Sequence, residues 1–195
     1  MGSTSFTRIL LLLGSIVFPL FHLVVLASAL RNSWWSFYRH AFSDLGAPAA
    51  IDPWIYNIGL IVLGILVILF SLGLLSAARS KWSAFASGLF FVSGIFLALI
   101  GVYPGGTRPH TFVSTWFYMQ SFIASTALGA ALLLEDNRPY GILLCALGML
   151  PVPLGMFIEV SVGWLSVAIM EYVGAVFIAA AAIVSCYVYW PRELK

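Results

Sequence analysis

The sequence predicts an all-α integral membrane bundle, on three observations. Hydrophobic residues make up 62% of the chain and charged residues 8%, against about 25% charged in a soluble domain, so there is too little polar surface to coat a water-facing globule. The apolar residues fall in repeated runs of roughly 20, the length at which a helix spans a hydrocarbon core. The runs are continuous rather than alternating, which excludes a membrane β-barrel, the other architecture that satisfies every backbone polar group in lipid. A formal net charge of +2, with no basic tract, excludes nucleic acid as a partner and leaves membrane lipids as the expected surroundings.

A single transmembrane domain covers residues 1–195, with six spans at about 8–30, 54–77, 82–102, 110–134, 140–157 and 163–190. The first run, Ile9 to Leu30, is too long for the apolar core of a signal peptide. It ends in a polar aromatic loop without a small-residue cleavage site, so it reads as a retained span. Phe6 stands where a myristoylation signal carries Ser or Thr. The connections after spans 2 to 5 are short, so consecutive helices are antiparallel neighbours. Cys145 and Cys186 lie inside apolar runs and read as small buried hydrophobes; a disulfide between them has no support from spacing.

Lys and Arg set the expected orientation. Arg8, Arg79, Lys81, Arg138, Arg192 and Lys195 fall on one side, and Arg31, Arg39 and Arg108 on the other. This bias places the N- and C-termini in the cytoplasm and predicts a multi-pass protein of the cell membrane. Trp34, Trp35, Trp54 and Trp164 mark the outer boundary, Trp82 and Trp190 the inner one.

The loop RNSWWSFYRHAFSDLGAPAAIDP, residues 31–53, is the polar exception between two apolar runs. Trp34 to Phe42 sets aromatics on one side and Arg39 and His40 on another, the pattern of a short interfacial helix. Asp52-Pro53 reads as a cap for span 2, with Pro53 at the first helical position. Small residues mark close helix contacts: Gly141, Gly148 and Gly155 at intervals of seven, Ser125 with Gly129, and Gly88, Gly94 and Gly101. Packing within the chain is expected of them before a homo-oligomer. A faint echo pairs Trp54-Ile55-Tyr56 with Trp116-Phe117-Tyr118.

Topology sorts the scarce polar residues. His40, Asp44, Asp52, Arg31, Arg39, Arg108, His110 and Glu159 fall at the outer surface. His40 and Asp44, four apart, would share a helical face, and His110 opens span 4, where it can meet them across the bundle mouth. Asn57, one turn into span 2, faces the same mouth. Two histidines with a carboxylate carry the donors of a zinc-type site, but the spacing is no recognised ligand motif and no metal is assigned. Alternatively Asp44 caps the turn or pairs with Arg39 or Arg108. A second, buried layer combines His22, Gln120 and Glu171 at similar depth, either as a functional polar site or as a His22–Glu171 hydrogen bond joining spans 1 and 6. No cofactor signature is present: no CxxCH accompanies His22, no GxSxG surrounds Ser43, and no Lys follows the Tyr103-Pro104-Gly105-Gly106 turn.

The run HAFSDLGAPAAIDPWIYNIGL, His40 to Leu60, resembles the signature of a six-span membrane family, domain of unknown function 998. The matching positions are Phe42, Ser43, Asp44, Leu45 and Gly46 after span 1, Asn57 and Gly59 opening span 2, and a proline-rich turn, Pro104, followed by His110. The resemblance covers the span count and most of the chain. It implies that the outer cluster is the site, and names no reaction.

The expectation is therefore an outward-facing polar pocket, walled by spans 1, 2, 4 and 6 and covered by Trp34–Phe42, that binds a lipid-like or small amphiphilic ligand. Three other classes compete: a metal-assisted membrane hydrolase or transferase, a proton-coupled transporter dependent on Glu171, and a structural subunit with a partner in a membrane complex.

Overall fold

The computed structural model describes residues 2–190. Those residues form seven α-helices: α1 (Gly2–Arg31), α2 (Trp54–Ala77), α3 (Lys81–Val102), α4 (His110–Leu134), α5 (Arg138–Met149), α6 (Pro151–Ser161) and α7 (Val167–Tyr189). One 3-10 helix, Phe42–Gly46, stands between α1 and α2. The described residues include no strand. Helices α1 to α4 and α7 are each long and apolar enough to cross a membrane. Arg192 and Lys195, which enter the comparison of Lys and Arg on the two sides, lie outside the described residues.

Helices α1 to α5 pack each against the next, and α7 closes the bundle against α1, α4 and α5. The closest approaches run through glycine. A Cβ on Gly64 would stand 2.5 Å from the Ala98 nitrogen and 2.7 Å from the Gly94 carbonyl, so α2 and α3 touch backbone to backbone. At Gly129 a Cβ would stand 2.5 Å from the Cys145 nitrogen, and at Gly148 it would stand 2.5 Å from the Phe122 carbonyl, which locks α4 to α5. These contacts are within the chain. Gly88 and Gly155 differ: no atom lies near a Cβ on Gly88, and only Trp164 lies near one on Gly155. The glycine spacing of seven does not continue through Gly155 because the helix breaks first.

The span expected at 140–157 is two helices, α5 and α6, meeting at a bend of 40°. Pro151 and Pro153 cause it. Each lacks the N–H that would bond to the carbonyl four residues back, and each ring crowds that carbonyl. Helix α5 follows α4, while α6 turns away and makes few contacts with the bundle. The last helix begins only at Val167, where Ser166 caps it by accepting from the Ile169 N–H at 3.1 Å.

The interfacial helix expected at Trp34–Phe42 is absent; this segment is a series of turns leading into the 3-10 helix. Local side chains outcompete the helical ladder there. The Ser36 N–H goes to His40 Nδ1 at 2.9 Å, and the Trp35 indole donates to the Ala41 carbonyl at 2.8 Å. Trp35 and Phe42 stack inward instead of lying along one face. Buried Asn32 closes the loop. Its Nδ2 donates to the Ser28 carbonyl at 2.9 Å and the Ile51 carbonyl at 3.0 Å, and its Oδ1 accepts from the Ile51 N–H at 2.7 Å and the Trp34 indole at 3.1 Å. Asp52 adopts a left-handed backbone, φ 53°, and meets Arg31 at 2.8 Å instead of capping α2. The folded loop buries Phe42 and Leu45 against Tyr56, Leu60, Leu97 and Ala168.

Candidate functional site

Two hollows lie side by side at the loop end of the bundle. The inner one, of about 100 Å³, lies between α1, α2, α3, α4 and α7, beneath Phe42 and Ser43. Its far end is apolar, with Phe70, Phe90 and Ala182. Its near end carries Ser43, Tyr56, His110, Ser114, Tyr118 and Glu171, and Ser93 and Ser121 also line it. The outer one is a groove of about 870 Å³ between α4, α6 and α7, which the bend at Pro151 opens. Arg39, Glu159 and Ser166 are among the residues at its loop end, and Met119, Phe122, Val152 and Val173 line its depth. Two residues line both hollows, Tyr118 and Glu171.

The wall between the hollows is built locally. The Tyr118 hydroxyl donates to the Glu171 main-chain carbonyl at 3.0 Å. Gly174 permits this, because its missing Cβ would stand 2.9 Å from the Tyr118 ring. The Glu171 carboxylate accepts from the Phe42 N–H at 3.0 Å, tying the cap of the inner hollow to α7. Two further bonds hold the loop on the same helix: Ala168 N–H to the His40 carbonyl at 2.9 Å, and Ser166 Oγ to the Phe37 carbonyl at 2.6 Å.

The chain matches, over residues 15–188, the family described as a protein of unknown function, DUF998. The chain belongs to that family. The match runs from within α1 to the last turn of α7 and takes in every groove residue and, Gly14 excepted, every residue of the inner hollow. No curated protein and no solved structure matches it.

The FSDLG run of this chain is the 3-10 helix itself. Asp44 Oδ2 accepts from the Ala41 N–H at 2.9 Å, so this carboxylate caps its own turn. Asn57 holds the turn from α2, its Nδ2 donating to the Gly46 carbonyl at 2.9 Å, while its buried Oδ1 has no hydrogen-bond partner. Gly46 is required here, because a Cβ would collide with the Asn57 amide. His110 Nδ1 meets the Tyr103 carbonyl at 2.8 Å. A carbonyl only accepts, so Nδ1 donates in this bond and Nε2 is the ring nitrogen left without a hydrogen-bond partner beside the inner hollow.

The seven residues singled out from sequence therefore divide. His110 and Glu171 line the inner hollow; His40, Asp44 and Asn57 shape the loop above it and line neither hollow. His22 and Gln120 do not join Glu171. His22 is exposed on α1, with Nδ1 on the Phe18 carbonyl at 2.7 Å and Nε2 at 3.2 Å from the Tyr172 hydroxyl. Buried Gln120 donates to the Leu89 carbonyl of α3 at 3.2 Å. Equal depth brought His22 to the last helix, but onto Tyr172 rather than its neighbour Glu171, and it left Gln120 turned to α3. Among the described residues no three His, Cys, Asp or Glu side chains are grouped to hold a metal ion, and both cysteines are free.

Sequence reasoning missed Tyr56, Tyr118 and Asn32. The echo of Trp-x-Tyr was the available signal for the tyrosines, since both close the same end of the inner hollow. It also missed an organised network at the opposite end. There Glu135 accepts from Ser80 Oγ at 2.6 Å and the Tyr189 hydroxyl at 3.4 Å, and Arg79 donates to the Val188 carbonyl at 2.9 Å.

Proposed function

We propose that this protein crosses the cell membrane six times, with α5 and α6 together as the fifth crossing, both termini cytoplasmic and the folded loop outside. We propose further that it binds a lipid-like amphiphile in the groove between α4, α6 and α7. One observation carries the binding reading: an open groove of about 870 Å³ with an apolar depth and a polar loop end shares the Tyr118–Glu171 wall with the inner hollow. Small-molecule sites occupy about 300–1,000 Å³, so the groove holds the body of such a ligand, whereas the inner hollow of about 100 Å³ accepts only a chain end. The groove also lies beside exposed apolar residues of α6, among them Met156, Phe157 and Val160, which suits access from lipid.

Native mass spectrometry of protein extracted in mild detergent tests this. Wild type is expected to retain one lipid-sized adduct, and Gly155→Phe to lose it. Gly155 lines the groove and has room for a Cβ, so the substitution fills the groove without moving backbone. A wild-type protein free of adducts overturns the reading.

One observation favours a second reading, a membrane enzyme acting on that amphiphile. His110 lines the inner hollow with Nδ1 held by the Tyr103 carbonyl, so Nε2 is the ring nitrogen left to meet whatever part of the ligand enters there, the position a general acid or base would occupy. Lipid converted by wild type and left intact by His110→Gln would support it.

A further inference from the structure

The mouth of the groove carries both signs of charge. Arg39 comes from the folded loop and Glu159 from the last turns of α6, and both line the groove. Among the described residues neither has an ion-pair partner, and they do not pair with each other. Arg39 is fixed in place indirectly. The carbonyl of its neighbour His40 accepts from Ala168 at the start of α7, and the Arg39 N–H donates to the Ser36 carbonyl at 3.1 Å. Trp164 also lines the mouth and leans toward Gly155, an aromatic at the level where headgroups lie.

We propose that the groove selects a zwitterionic phospholipid, with Arg39 taking the phosphate and Glu159 the ammonium of the headgroup. This rests on the amphiphile-binding reading and names the ligand's class. A guanidinium matches phosphate in a two-point fork. A carboxylate beside it favours a headgroup that ends in a cation and disfavours one that ends in neutral hydroxyls around a single net negative charge. An apolar depth lined by Met119, Phe122, Val152 and Val173 receives an acyl chain, which commits the site to a lipid over free phosphate.

The protein is reconstituted in vesicles of equimolar phosphatidylethanolamine and phosphatidylglycerol with identical acyl chains. It is then extracted in mild detergent, and retained headgroups are counted by mass. Wild type is expected to favour phosphatidylethanolamine by roughly five- to tenfold, the scale of one partly exposed charge contact. Glu159→Gln keeps a lipid but brings the ratio toward one, Glu159→Lys reverses it, and Arg39→Gln lowers retention of both. Both side chains are exposed, so the variants fold. Equal retention by wild type, or a ratio indifferent to residue 159, overturns the headgroup assignment while leaving the groove as a lipid site. Retention of no lipid at all overturns both.

Discussion

Tyr118 and Glu171 meet at one hydrogen bond, hydroxyl to main-chain carbonyl at 3.0 Å, and the pair forms the partition between a hollow inside the bundle and a groove on its flank. Tyr118→Phe keeps the ring against Gly174 and removes only that bond. A loss of about 1 kcal/mol is expected, the net worth of one such bond, read as a small fall in unfolding temperature in detergent. Tyr118→Ala removes the partition itself. It is expected to cost about 3 kcal/mol or more through the void it leaves, and to let adducts longer than those of wild type be retained.

Glu171 holds the cap through the Phe42 N–H. Glu171→Gln retains an acceptor oxygen and is expected to leave amide exchange of residues 41–46 close to wild type. Glu171→Ala strands that N–H at a cost of about 1–3 kcal/mol, and exchange there should accelerate. Equal exchange in the two variants would mean the cap is held by other contacts.

Two glycines give opposite predictions at the same nominal substitution. Gly64→Ala drives a methyl into the Ala98 backbone and Gly94 carbonyl. It should destabilise by about 2 kcal/mol or more as α2 and α3 separate. Gly88 meets nothing, so Gly88→Ala should be neutral or stabilising by about 0.5–1 kcal/mol through helix propensity. Paired thermal melts decide.

Asn32 and Arg31 are sequence neighbours with unequal weight. Asn32→Ala removes all four hydrogen bonds of a buried side chain, two of them to the main chain of exposed Ile51, an expected loss of about 2 kcal/mol with loosening of the whole loop. The Arg31–Asp52 pair has side chains 58% and 35% exposed, so Arg31→Ala should change stability by less than about 1 kcal/mol. Limited proteolysis of the loop in both variants would separate them.

Replacing Pro151 and Pro153 together with Ala restores two ladder hydrogen bonds and removes the ring clashes. Helix α6 is expected to continue α5 along α4, with loss of the groove and its adduct. A retained adduct would show that the bend rests on contacts beyond the prolines.

The helical membrane architecture was legible because it is a property of composition and run length. Backbone groups in lipid leave few choices, so Leu- and Ile-rich runs in α1, α2, α3, α4 and α7 declare themselves without knowledge of neighbours. The close contacts at Gly129, Gly141 and Gly148 were legible as small-residue spacing. The FSDLG element was legible as a motif, though not as the 3-10 cap it forms. What escaped was whatever depends on which way a helix faces. His22, Gln120 and Glu171 share a depth, yet a helix turns 100° per residue, and depth along its axis says nothing of azimuth. The loop Trp34–Phe42 carried an amphipathic pattern, but hydrogen bonds from Asn32 and His40 outweighed a pattern only nine residues long.

Length, hydropathy and motif thus determined from the sequence alone that this is a helical membrane protein of its family. Tertiary structure alone decided that Tyr118 and Glu171 divide two hollows and that α6 leaves the bundle to open the larger one. The physical reason is that burial in lipid is a sum over single residues, readable one run at a time. A cavity, by contrast, exists only where several helices, each with its own rotation and bend, fail to fill the space between them.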